Sequence, residues 1–124
     1  MISLTKQAVL DLLTKKKRTL ILFHRNPDAD ALGSALALAE ALTQMGSEVR
    51  SACESPLPER LSFLLAKEPV AFGKENLPKN FSPERVIAVD TASPTQLGEL
   101  FPLFEGRVDL SIDHHELCTP FSDH

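Results

Sequence analysis

Seven aspartates and four histidines occur in this chain of 124 residues, and four of the former and three of the latter fall in three short stretches. The first runs His24-Arg25-Asn26-Pro27-Asp28-Ala29-Asp30, the second is Asp90, and the third is Asp113-His114-His115. Imidazole and carboxylate side chains ligate divalent transition ions and move protons near neutral pH. Carboxylates crowded together repel one another and have raised pKa values unless a cation neutralises them, so a cluster of this kind is best explained by metal. Mixed nitrogen and oxygen ligands suit Mn²⁺, Fe²⁺, Co²⁺ or Zn²⁺, whereas a pure Mg²⁺ or Ca²⁺ site prefers oxygen throughout.

The spacing has its own logic. His24 and Asp28 can close on one ion across a turn, Asp30 points toward a second, and Asp90 is suited to bridge them. Two ions about 3.5–4 Å apart hold a hydroxide nucleophile and steady attacking and leaving oxygens, which makes phosphate ester hydrolysis the natural reaction class. Gly33 and Ser34 open the helix that follows, where a missing side chain and helix N-terminal N–H groups favour phosphate. A plainer account of the same residues has Asp30 capping that helix and Gly33 packing on a sheet. Taken singly, Asp-His-His is ordinarily a polar loop and Pro-Asp-x-Asp a turn or cap. Function rests on their combination at strand ends.

The elements that must position them follow from hydrophobic patterning. Thr19 to Phe23, Val86 to Val89 and Val108 to Ile112 are short continuous apolar runs, the pattern of strands buried on both faces of a parallel sheet. Glu48 to Cys53 is a weaker strand signal, and Val70 to Phe72 an edge strand. Leu4, Ala8, Leu12 and Leu13 give a first helix over residues 3–14, with Lys15 to Arg18 capping its C-terminus rather than forming a localisation or nucleic-acid patch. Leu32, Leu36, Ala39, Leu42 and Met45 give a second helix, stopped by Gly46. Short helices are expected over Pro58 to Lys67 and after Ser93-Pro94 through Leu97 and Leu100, and a surface loop over Gly73 to Pro83. This alternation predicts an α/β, three-layer domain: a mostly parallel sheet with right-handed crossovers and helices on both faces. Residues at the carboxyl ends of such strands converge near a topological switch point.

Composition narrows the function classes. A 43% hydrophobic content, five glycines and a net charge of -4 describe one folded domain and exclude disordered or collagen-like chains. The acidity argues against a broad basic face for long nucleic acid, and with no Trp or Tyr only Phe is left for stacking bases. No apolar run approaches the ~20 residues of a membrane span and no secretory signal opens the chain, so a soluble, cytoplasmic protein without membrane contact is expected. Cys53 and Cys118 are far apart with no metal-ligand spacing, and are read as two reduced thiols.

The stretch from His24 through Gly33-Ser34, with Val89-Asp90-Thr91 and Asp113-His114-His115, resembles motifs I, II and III of the DHH phosphoesterase superfamily. The form His-x-Asn-Pro-Asp-x-Asp-x-x-Gly-Ser is most similar to its nanoRNase and pAp-phosphatase group. The resemblance implies that His24, Asp28 and Asp90 bind one Mn²⁺ and that Asp30, Asp90 and His114 bind a second, with Mg²⁺ or Co²⁺ as alternatives. It further implies that His115 contacts the scissile phosphate and acts with Asp113 in catalysis, Asp113 orienting His114. It covers the chain from Thr19 onward as an N-terminal DHH domain over 1–124 with motifs I to III. A fourth motif and the C-terminal substrate-binding domain have no counterpart before His124. Cys118 stands where many members carry Asn, Phe121 is retained, and Asp123 and His124 are further candidate ligands.

The function expected on these grounds is a metal-dependent phosphoesterase acting on short oligonucleotides or 3′-phosphoadenosine 5′-phosphate, with a homodimer admitted as its assembly. The rival is a truncated or degenerate metal- or nucleotide-binding module without catalysis. A third account treats the carboxylates as caps and loop residues.

Overall fold

The computed structural model describes residues 2–65 and 70–124. Five strands, β1 (Thr19–Phe23), β2 (Val49–Cys53), β3 (Val70–Phe72), β4 (Arg85–Val89) and β5 (Leu110–Ile112), form one sheet in the order β3-β2-β1-β4-β5. Every pairing is parallel. The chain winds outward from β1 to β3, then returns to the other side of β1 for β4 and β5. The switch point lies between β1 and β4, so the carboxyl ends of β1, β4 and β5 are neighbours, as the strand assignments require.

Alternation along β1 explains its unbroken apolar run. Ile21 and Phe23 face a core with Leu32, Leu42 and Ile87, while Leu20 and Leu22 face one with Val86, Leu97 and Leu100. Helices α1 (Lys6–Thr14) and α2 (Ala29–Gln44) and a 3-10 segment (Glu59–Leu65) cover the first face. A 3-10 segment (Pro94–Leu100) and the short α3 (Phe101–Phe104) cover the second. The three-layer α/β architecture expected from the sequence is the one found.

Local differences have physical causes. α2 begins at Ala29, ahead of the apolar repeat, because Asp28 is its N-cap and accepts the Ala31 N–H at 2.8 Å. Asp30 sits in the first turn instead of capping it. The basic run from Lys15 to Arg18 is exposed; Lys15 is the C-cap residue of α1, but among the described residues no side chain of the run bonds the carbonyls at that helix end. That work falls to buried Arg85 of β4, whose Nη1 donates to the carbonyls of Leu12 at 2.6 Å and Lys15 at 3.1 Å. The helix between β4 and β5 is broken at Gly98, where φ is +59°. The loop from Gly73 to Pro83 holds one 3-10 turn, Lys74–Asn76, and sends Leu77 and Phe81 against the second core. Of the short helix expected to Lys67, the part over Ala66 and Lys67 lies outside the described residues. Among the described residues no helix is long and apolar enough to cross a membrane.

Candidate metal centre

Each of the three strand ends contributes differently. After β1, His24 leads into a loop that Asn26 turns with a φ of +51°, its N–H donating to Ser55 Oγ. The loop ends at Asp28, whose extended backbone starts α2. After β4, Asp90 takes a φ of +49° and donates its N–H to the carbonyl of Ile112 at 2.9 Å, tying it to the end of β5. A left-handed conformation at a buried, non-glycine residue is the kind of strain that persists where the surroundings fix it, and such positions cluster at functional sites. After β5 come Asp113, His114 and His115.

These ends meet at the Asp90 carboxylate, which is buried with 6% of its side chain exposed. Its Oδ2 lies 3.6 Å from His24 Nε2, and its Oδ1 lies 3.0 Å from His114 Nε2. His24 Nε2 is also 3.6 Å from Asp28 Oδ1, and His114 Nε2 is 3.0 Å from Asp30 Oδ2. One carboxylate therefore faces two imidazoles with its two oxygens, and each imidazole faces a second carboxylate. His24 Nδ1 donates to the Arg25 carbonyl at 2.8 Å, which leaves the Nε2 lone pair aimed at the two acids. This is the arrangement by which a backbone acceptor orients a ligating imidazole.

The donor set fits divalent cations. Separations of 3.6 Å are too long for hydrogen bonds. Ligand atoms that each stand about 2.1 Å from one ion are roughly 3.0–3.6 Å apart, the range found around Asp90. Two groups of ligand atoms lie within 4.8 Å of one another, His24, Asp28 and Asp90 in one and Asp90, Asp113, His114 and His115 in the other. Asp30 joins the second through its contact with His114.

Electrostatics separate the acids. Burial, and then the negative charge of Asp30, push the Asp90 carboxyl above its usual range. The Ala31 N–H holds Asp28 below its usual value, so capping and orientation toward His24 coexist. His115 is raised, first by its hydrogen bond to Asp113, which holds a proton on the ring.

That last contact corrects one expectation, since Asp113 pairs with Nδ1 of His115 and not with His114. Gly33 and Ser34 also sit differently from their sequence reading. They lie one turn inside α2, where N–H groups already serve the helix. Ser34 instead offers its hydroxyl, 3.4 Å from Asp30 Oδ1, at the wall of a cavity of about 490 Å³ shared with Asp30, Leu38, Asp90, Asp113 and His114. A Cβ on Gly33 would meet nothing within 4 Å, so this glycine leaves open space and does not pack on the sheet. A second cavity of about 360 Å³ takes in Asp113 and His115 with Thr91 and Cys118. Cys118 and its neighbours through Thr119 are exposed, and His124, at the wall of the same cavity, has its Nδ1 buried without a hydrogen-bond partner among the described residues.

Sequence reasoning missed the residues that brace this centre. Cys53 Sγ donates to the His24 carbonyl at 3.3 Å, and Gln96 reaches the loops of both His24 and Asp90. The spacing Ser93-x-x-Gln96 is that of a capping box, but Gln96 Oε1 accepts the N–H of Ala92 and not that of Ser93, so the spacing alone does not give this contact.

Comparison with known proteins gives the following matches. The model of the DHH family, N-terminal domain, matches residues 18–124. An uncharacterized protein of Methanocaldococcus jannaschii is 34% identical over 113 residues, covering 86% of this chain and 33% of its own. The bifunctional oligoribonuclease and PAP phosphatase NrnA of Thermus thermophilus is 36% identical over 92 residues, covering 74% of this chain and 26% of its own. The chain thus spans a third or less of these curated relatives. The crystal structure of an exopolyphosphatase-related protein from Bacteroides fragilis superposes with a TM-score of 0.74 over 96% of this chain and 39% of that one, at 19% identity, a likeness of fold.

Proposed function

Because the chain belongs to the DHH family, as an N-terminal domain of that family, we propose that it is the metal-binding domain of a phosphoesterase with two Mn²⁺ positions. His24, Asp28 and Asp90 would hold one ion and Asp30, Asp90 and His114 the other, with Mg²⁺ or Co²⁺ as alternatives. The observation that carries this reading is the Asp90 carboxylate turned by its two oxygens toward two imidazoles from different strand ends. When bound, such ions supply charge neutralisation for phosphate oxygens and acidify water for attack on phosphorus.

The remaining roles belong to side chains of this chain. Asp113 favours the protonated form of His115, and an imidazolium at the rim of the centre would bind a phosphate oxygen or give its proton to the leaving one. The Ser34 hydroxyl and the space beside Gly33 receive the phosphate group. The substrates proposed are short oligonucleotides or 3′-phosphoadenosine 5′-phosphate, a reading supported by the name of the Thermus thermophilus relative. A cytoplasmic protein without membrane contact is part of the same proposal, and the net charge of -4 supports a small substrate over long nucleic acid.

Titration calorimetry with Mn²⁺ on this chain tests the reading. Two ions per chain in wild type, with both positions weakened in Asp90→Asn, are expected. Equal stoichiometry and affinity in the two proteins would sink the two-ion assignment, and hydrolysis of short oligonucleotides then has no basis in this centre.

A further inference from the structure

The carboxyl edge of the sheet is held by a hydrogen-bond relay that passes through Gln96. The Arg25 N–H donates to the Gln96 carbonyl at 2.6 Å, and the Ala92 N–H donates to Gln96 Oε1 at 2.6 Å. The Thr119 N–H in turn donates to the Ala92 carbonyl at 2.7 Å. Arg25 follows His24 and its carbonyl takes the His24 ring proton, Ala92 lies two residues after Asp90, and Thr119 lies four after His115. One residue therefore ties the loop of His24 to the loop of Asp90, and through Ala92 to the segment that follows His115.

The tie has a job that the sheet does not do. The β1–β4 ladder ends at the pair Phe23 and Val89, one residue short of His24 and Asp90. Beyond it the 3.6 Å between His24 Nε2 and Asp90 Oδ2 is not a hydrogen bond, so the side chains do not hold their own separation. Cys53 and Ser55 fasten the His24 loop to β2, on the side away from Asp90. The link toward Asp90 is made by Gln96, half-buried at the start of its 3-10 segment, with its main chain on one loop and its amide oxygen on the other. Resting on the metal reading above, we propose that Gln96 is a positioning residue that sets the separation of His24 and Asp90 and thereby the affinity of the ion position they share with Asp28.

Three variants test this by Mn²⁺ calorimetry on the present chain, with thermal unfolding in EDTA alongside. Gln96→Leu keeps the bulk and removes the acceptor. Gln96→Asn keeps the amide and withdraws it by one methylene, and Gln96→Glu keeps an oxygen where Oε1 now lies. Loss of a group that orients a metal ligand costs about 10–100-fold in affinity, and that loss is expected at one of two positions in the Leu variant, with a smaller loss in Asn and recovery in Glu. Wild-type Mn²⁺ affinity in the Leu and Asn variants, whatever their melting temperatures, overturns the positioning role. Should the Leu variant not fold, the Asn and Glu pair carries the same test. A wild-type chain that binds no Mn²⁺ overturns the metal reading itself and the role of Gln96 with it, an outcome distinct from two ions bound equally by every variant.

Discussion

Asp113 is hydrogen-bonded to Nδ1 of His115, two residues on, and leaves its immediate neighbour His114 to Asp30 and Asp90. The two adjacent imidazoles, 4.8 Å apart between ring centres, are thereby assigned to different partners. His114 faces two acids with one nitrogen, the environment of a ligand. His115 has one nitrogen held by an acid, the environment of a proton donor.

That division predicts a pH dependence. Asp113 raises the His115 pKa above its ordinary 6.5, so the imidazolium persists to higher pH. Turnover that depends on this proton falls as pH rises through the raised value, and Asp113→Asn moves the fall to lower pH. An NMR titration of the His115 ring in the metal-free chain reads this directly. A midpoint unchanged by Asp113→Asn would remove Asp113 from the role.

Asp90→Asn should separate stability from binding. Burial and Asp30 raise the Asp90 pKa, so the folded state binds this proton more tightly than the unfolded state does. Its ionisation therefore weakens the metal-free fold as pH rises through the raised value, and the neutral amide is free of that effect. In EDTA at neutral pH, Asp90→Asn is expected to melt higher than wild type, with the difference vanishing as the pH drops below the usual carboxylate range. Mn²⁺ at a hundred times its Kd should stabilise wild type by about 2.7 kcal/mol and the variant by far less. Melting curves with and without Mn²⁺ check both halves, and a lower metal-free melting temperature in the variant would show that its hydrogen bond to His114 outweighs the repulsion.

The layers and the convergence of His24, Asp90 and His114 were legible because both rest on local pattern. A continuous apolar run marks Thr19–Phe23 as doubly buried, and parallel strands bring their carboxyl ends together whatever the loops do. What stayed hidden depends on partners distant in sequence. Nothing near Thr14 announces that Arg85 will satisfy the end of α1, and nothing near Asp113 says which of two adjacent histidines its carboxylate will take. Local spacing also misjudged the start of α2, since Asp28 and Asp30 are both good caps and the apolar repeat does not choose between them.

Arg85 offers the sharpest test of a residue far from the centre. The residue is 5% exposed, and its guanidinium donates to Thr19 Oγ1, Ser47 Oγ and the carbonyls of Leu12 and Lys15. Arg85→Leu strands these acceptors and loosens α1, at a cost of about 3 kcal/mol, the range for losing charged hydrogen bonds in a protein interior. Urea unfolding measures the loss. Mn²⁺ affinity below the unfolding range should stay at the wild-type value, because Arg85 opens β4 while Asp90 follows its other end.

Gly98 breaks the second-face helix in two with φ +59° and ψ -134°, and a Cβ there would stand 2.3 Å from the Glu54 carboxylate, whose Oε1 accepts the Glu99 N–H at 3.1 Å. Gly98→Ala thus suffers twice, from a backbone conformation costing about 1–3 kcal/mol for a residue with a side chain and from displacing Glu54. The carboxylate ends a flexible chain and can swing aside, so the second cost is only its bond to Glu99. Glu54→Ala removes that bond alone and should be mild. Since both changes lose the same bond, the double variant should cost less than the sum of the two, and the shortfall measured by urea unfolding gives the strength of the Glu54 tie. Full additivity would mean that the carboxylate finds an equal partner once displaced, and that the kink at Gly98 is fixed by its backbone alone.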